Sequence, residues 1–150
     1  MKSPLYDWHE KHGAKLADFG GWDMPIEYGN GVAGASGGTL AEHASVRERV
    51  GIFDVSHLGK ISVRGPGAKE FVNTLITNDL NKIDAGSAQY NLFCNESGGV
   101  IDDLIVYEFS ESDLFLIPNA ANCQAVFDVI ASKAPPGIEV KNIHQDYAVL

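Results

Sequence analysis

At 150 residues the chain is long enough for one domain with a real core, and its 45% hydrophobic and 21% charged residues are the balance of a globular protein. A formal net charge of -9 argues against a nucleic-acid partner, because neutralising phosphates needs clustered Lys and Arg, which do not occur here. No apolar run approaches the roughly 20 residues that cross a membrane, and the amino terminus lacks the sections of a secretory signal. The expectation is a cytoplasmic protein with a small-molecule or protein partner and no membrane association.

The first residues, Ser3-Pro4 followed by Leu5, Trp8, His9, His12 and Gly13, predict a short helix with proline in its first turn and glycine after its end. His9 and His12 are expected at the surface or in packing. Residues 14–19 read as a strand, broken by Gly20-Gly21 before Trp22-Asp23-Met24-Pro25, where paired glycines mark a tight bend. Glycines at 29, 31, 34, 37 and 38 leave no periodicity, so a mobile surface loop is expected. This loop has neither the Gly-Lys-Ser/Thr ending of a phosphate loop nor the buried strand that precedes a dinucleotide fingerprint. Thr39-Leu40-Ala41-Glu42 has capping-box spacing and predicts a helix to about Val50, ended by Gly51.

A regular rhythm follows. Residues 58–64 alternate as a strand, and Gly65-Pro66 starts a helix with Ala68, Phe71, Val72, Leu75 and Ile76 at helical spacing. Residues 88–95 and 100–109 form a hairpin across Ser97-Gly98-Gly99, and 113–118 supply another strand. A second helix places Cys123, Val126, Phe127, Ile130 and Ala131 on one face, and 138–141 close the pattern after Pro135-Pro136-Gly137. Strands interleaved with two helices predict an α+β fold, a mainly antiparallel sheet with helices on one face, close to the split β-α-β arrangement.

Within the hairpin, Asp102 and Asp103 stand side by side in an apolar strand just after a turn. An ionised carboxylate buried without partners is costly, so such groups find donors, shift their pKa or serve a ligand. Alternation puts Asp103 with Ile101, Ile105, Tyr107 and Phe109, and Asp102 with Val100, Leu104, Val106 and Glu108. Because the second set ends in a charge, Asp103 is expected to be the better-buried acid. A turn cap together with an edge-strand charge would account equally well for the pair. The two cysteines, Cys94 and Cys123, and the five histidines have no metal-ligand spacing, so no metal site is read.

Three separated strings belong together: Asp18-Phe19-Gly20-Gly21-Trp22-Asp23-Met24-Pro25, Gly51-Ile52-Phe53-Asp54-Val55-Ser56-His57-Leu58-Gly59, and the run from Gly98 to Tyr107. With Thr77-Asn78-Asp79-Leu80 and Asn119-Ala120-Ala121-Asn122, they make the chain resemble the amino-terminal part of the T proteins of the glycine cleavage system, tetrahydrofolate-using aminomethyltransferases. The resemblance implies a folate-binding domain. Residues 1–57 would be its amino-terminal segment, 58–143 a ferredoxin-like unit, and 144–150 the start of a return to the first subdomain in a truncated chain.

The family's essential aspartate matches Asp103, and its folate contacts match Leu58, Tyr90, Tyr107, Ile117 and Asn119, together with Asp103 itself. Leu58 stands where the family commonly has Met, and the stretch 29–38 reads as an insertion. The implied reaction takes the aminomethyl group from the lipoylated H protein, releases ammonia and passes the one-carbon unit to tetrahydrofolate. Two other readings stay open: the folate domain of a sarcosine- or dimethylglycine-oxidising enzyme, and a non-catalytic folate-binding module.

Overall fold

The computed structural model describes residues 1–32 and 34–150, and the chain divides into two compact units, Met1–His57 with Tyr147–Leu150 and Leu58–Asp146. No helix among the described residues is long and apolar enough to cross a membrane.

The first unit holds helix α1 (Tyr6–Lys11), the antiparallel pair β1 (Ala14–Phe19) and β2 (Trp22–Tyr28), and helix α2 (Thr39–Glu48). Gly20 and Gly21 form the two-residue hairpin loop, with φ of 60° and 86°. Positive φ at both central positions matches the twist of the flanking strands and is open to glycine at little steric cost. The stretch 29–38 carries no helix or strand among its described residues, and its base is tied by the amides of Gly31 and Gly38, which both donate to the Tyr28 carbonyl.

The expected capping box at α2 does not form. Thr39 turns its hydroxyl and its amide to the Glu27 carboxylate, while Glu42 accepts from the Tyr28 amide at 2.6 Å. Strand β2 thus supplies both partners: its Glu27 carboxylate takes the Thr39 donors, and its Tyr28 amide takes the Glu42 carboxylate.

His9, expected at the surface or in packing, is buried at the centre of a polar cluster. Its Nε2 donates to Asp54 Oδ2 at 2.7 Å, and its Nδ1 is hydrogen-bonded to the Tyr28 hydroxyl. Asp54, with a side chain only 1% exposed, also accepts from the Ser3 hydroxyl and, at 2.8 Å, from the Ser56 amide. Burial pushes the Asp54 carboxyl up, but the bonds from Ser3, Ser56 and His9 outweigh it and leave it below the ordinary carboxylate value. A depressed pKa contributes stability that is present above the unfolded value, about 3.9, and is lost as pH falls through the lower folded value. Acid unfolding below about pH 4 is therefore expected to be shallower in an Asp54→Asn variant, which a denaturation series from pH 7 to pH 2 would measure.

The second unit is a five-stranded sheet in which every pairing is antiparallel: β4 (Ser87–Cys94), β5 (Val100–Ser110), β6 (Asp113–Ile117), β3 (Ile61–Arg64) and β7 (Glu139–Asn142), in that spatial order. Helices α3 (Ala68–Asn73) and α4 (Cys123–Lys133) both pack on one face. Ala68 and Val72 of α3 and Cys123, Val126 and Ile130 of α4 form one core with Ile61, Val63, Phe93, Leu104, Val106, Leu114 and Leu116. Helix α3 ends at Asn73, short of the expected Ile76, which instead bridges to Phe93 beside the β4 edge. The expected α+β design, an antiparallel sheet with its helices on one face, is the observed one.

Candidate functional site

The helix-covered face of the sheet takes the even residues of β5. Leu104, Val106 and Glu108 are buried there, and Asp102 is only 3% exposed, whereas Asp103 is exposed. The expectation that Asp103 is the better-buried acid is therefore reversed. Glu108 is the cause of the error: it is 2% exposed, its charge answered by Lys69 of α3 at 2.9 Å. A charge paired inside the core does not mark the solvent side.

The odd residues of β5 line the open face, with Asp103, Ile105, Tyr107 and Phe109 flanked by Tyr90 of β4 and by Phe115 and Ile117 of β6. Tyr90, Ile105 and Phe109 are 57%, 36% and 58% exposed, and the Tyr107 and Phe115 rings lie 6.4 Å apart. Ile117 is opposite Ile105, so Asn119, two residues on, comes level with Asp103 just beyond the end of β6. A register shift in β5 between its pairings with Cys94 and Phe93 leaves Ile101 unpaired directly before the two acids. Such bulges bend a strand and re-aim the side chains beside them.

Asp103 is held at both oxygens. Asn119 Nδ2 donates to its Oδ1 and to its backbone carbonyl, each at 3.0 Å, and the Tyr90 hydroxyl donates to Oδ2 at 3.0 Å across a diagonal of the β4–β5 ladder. The bond to Asp103, reinforced by some desolvation and the carboxylate charge, raises the Tyr90 pKa, so its hydroxyl stays a donor. Beneath, Asp102 accepts from the Asn119 amide at 2.8 Å, from Asn119 Nδ2 at 3.0 Å and from Asn122 Nδ2 at 2.7 Å. Asn122 stands at the N-cap position of α4, but its side chain bonds Asp102 and not the amides of the helix. Sequence reasoning assigned no part to Asn122 and only a lesser one to Asp102; the signal available was the Asn119-Ala120-Ala121-Asn122 string one hairpin strand away.

Leu58 is half-buried and is brought to the same end of the sheet because the Gly59 amide donates to the Pro118 carbonyl at 2.7 Å. Glycine is required for that approach. A Cβ on residue 59 would lie 2.6 Å from Cys123 Sγ, 2.7 Å from its Cβ and 2.7 Å from Pro118 Cγ. Gly59→Ala is expected to destabilise the fold by about 1–3 kcal/mol, as overpacked cores do, because neither the base of the Cys123 side chain nor the proline ring can swing aside. A urea denaturation midpoint equal to that of the parent chain would refute this. Lys60, fully buried, reinforces the join by donating to the carbonyls of Leu58 at 3.0 Å and His144 at 2.9 Å.

Leu58, Tyr90, Asp103, Tyr107, Ile117 and Asn119 thus all belong to the second unit. Tyr90, Asp103, Tyr107 and Ile117 share its open sheet face, while Asn119 and Leu58 stand at the strand ends. A cleft of 490 Å³ lined by Pro66, Gly67, Glu70, Ala85, Ser110, Glu111 and Ser112 lies at the opposite end of β5, with two carboxylates and no aromatic ring. It is not suited to a flat ligand. Among the described residues, no group of three His, Cys, Asp or Glu is placed to hold a metal, and burial raises the pKa of the Cys123 thiol, leaving it protonated.

Comparison with known proteins matches residues 5–150 to the GCVT N-terminal domain. The chain is 56% identical to an aminomethyltransferase of Parafrankia sp. (strain EAN1pec) over 149 residues, which are 99% of this chain and 39% of that protein. It is 54% identical to an aminomethyltransferase of Mycobacterium tuberculosis over 150 residues, again 39% of the relative's length. The crystal structure of glycine cleavage system aminomethyltransferase T from Bartonella henselae superposes with a TM-score of 0.81 at 36% identity, covering 99% of this chain and 38% of that one. The chain therefore spans about two-fifths of the length of the relatives it matches. On sequence and on fold alike, it belongs to the aminomethyltransferase family of glycine cleavage T proteins, whose GCVT N-terminal domain it carries.

Proposed function

We propose that this domain serves a cytoplasmic aminomethyltransferase that takes the aminomethyl group from the lipoyl arm of the H protein, releases ammonia and passes the one-carbon unit to tetrahydrofolate. The observation that carries the reading is a carboxylate, Asp103, fixed at both oxygens on an open sheet face beside exposed aromatic rings. Tyr90 and Tyr107 offer flat surfaces for a pterin, with Leu58 and Ile117 as apolar contacts. Asn119 directs its nitrogen to three oxygens of the two aspartates, which leaves its carboxamide oxygen to accept from a pterin N–H.

In this reading Asp103 holds a folate nitrogen against the electrophilic methylene and stabilises the positive charge that develops as ammonia leaves. Since Asp103 is exposed on the sheet, the low dielectric that strengthens such an interaction is supplied by the ligand, whose ring excludes water from the face. The test is a turnover assay of the whole protein with aminomethyl-loaded H protein. Ammonia release that rises with added tetrahydrofolate is expected, and release indifferent to it would refute the assignment.

A further inference from the structure

We propose that Asp102 is the positioning residue of this site, a buried acceptor-only group that sets the orientation of Asn119 and, through it, of Asp103. The inference rests on the reading of Asp103 as the reacting carboxylate. Asp102 is 3% exposed and accepts three bonds, all from neutral amides: Asn119 N, Asn119 Nδ2 and Asn122 Nδ2. For stability alone a buried carboxylate is a poor choice, since its desolvation is offset only in part by neutral donors. Its use lies in being unable to donate.

An asparagine side chain has a donating and an accepting end, and nothing in its shape decides which way it lies. The carboxylate of Asp102 decides it: only the NH2 end of Asn119 can face it, and the same NH2 end then reaches Asp103 Oδ1 and the Asp103 carbonyl. The Asn122 side chain and the Asn119 backbone amide fix the Asp102 carboxylate in turn. With asparagine at 102, the new NH2 can donate to a flipped Asn119. Asn119 then offers its oxygen to the Asp103 carboxylate, two acceptors repel, and Asp103 is held by Tyr90 alone. Asp102→Asn is thus close to neutral for packing and harmful for orientation.

The experiment is a double-mutant cycle on the whole protein, measuring kcat with aminomethyl-loaded H protein and tetrahydrofolate for Asp102→Asn, Asn119→Ala, both together, and Asp103→Asn, each with its thermal midpoint. Asp102→Asn is expected to lower kcat about tenfold to a hundredfold, the scale of a misplaced reacting group. In the Asn119→Ala background it is expected to add less than about twofold, because the side chain it acts through is gone. A purely structural role predicts losses that multiply, and multiplied losses, or an Asp102→Asn kcat equal to wild type, overturn the proposal. If Asp102→Asn unfolds at the assay temperature, Asp102→Ser replaces it in the same cycle with the same two outcomes. Asp103→Asn separates the failures: near-normal turnover there removes Asp103 from the reaction and this proposal with it, whereas a large loss there beside multiplied losses in the cycle removes only the positioning role.

Discussion

Replacing Asp103 by Asn in the whole protein is expected to lower kcat by about a hundredfold to a thousandfold, the usual effect of removing one preorganised electrostatic contact at a reacting centre. Asparagine keeps the shape and, with its oxygen toward Asn119, turns its NH2 toward the Tyr90 hydroxyl, which can rotate to accept, so the main loss is the charge. Asp103 is exposed and makes its side-chain contacts at the surface, so the folded state hardly depends on that charge. A stability change within about 0.5 kcal/mol is expected, as for surface substitutions generally. Turnover and chemical denaturation of the same preparation make the check, and a variant with near-normal kcat would remove the carboxylate from the reaction.

The opposite balance is expected at the Lys69–Glu108 pair. Their side chains are 10% and 2% exposed; Lys69 Nζ donates to Glu108 Oε1 at 2.9 Å and to the Ile83 carbonyl at 3.1 Å, and Glu108 Oε2 has no hydrogen-bond partner among the described residues. Lys69 is thus the chief compensation for a buried carboxylate beneath α3. Lys69→Met is expected to destabilise the fold by about 3–5 kcal/mol, because it leaves that charge alone in the core. The double change Lys69→Met with Glu108→Leu is expected to recover most of the loss, since apolar groups of similar volume replace both ions at once. Equilibrium unfolding of the single and double variants decides the point: a mild single variant, or a double variant no better than Lys69→Met, would show that the pair is not coupled.

These residues also show where reading along the chain stops. The order and type of the strands and helices of the second unit were legible, because turn residues such as Ser97-Gly98-Gly99 and apolar spacings such as Cys123, Val126 and Ile130 act over a few residues. Family membership was legible for the same reason, in short strings that each keep their own local order. Boundaries moved by a few residues, as at α3, which stops at Asn73 where Ile76 turns aside to pair with Phe93.

By itself, then, the sequence determined an antiparallel α+β domain with two adjacent acids, Asp102 and Asp103, just after a hairpin turn. Tertiary structure alone decided which side of β5 the helices cover. Both sides are apolar, and the residue that seemed to mark solvent, Glu108, meets its counter-ion 39 residues away. The same limit hid the links of Glu27 to Thr39, Glu42 to Tyr28, His9 to Asp54 and Asp54 to Ser3, which span 12 to 51 residues. Hydrogen bonds and ion pairs are made in space. A local pattern can say that a buried carboxylate needs donors, but only the register that brings Asn119 level with the paired acids says which donors Asp102 has.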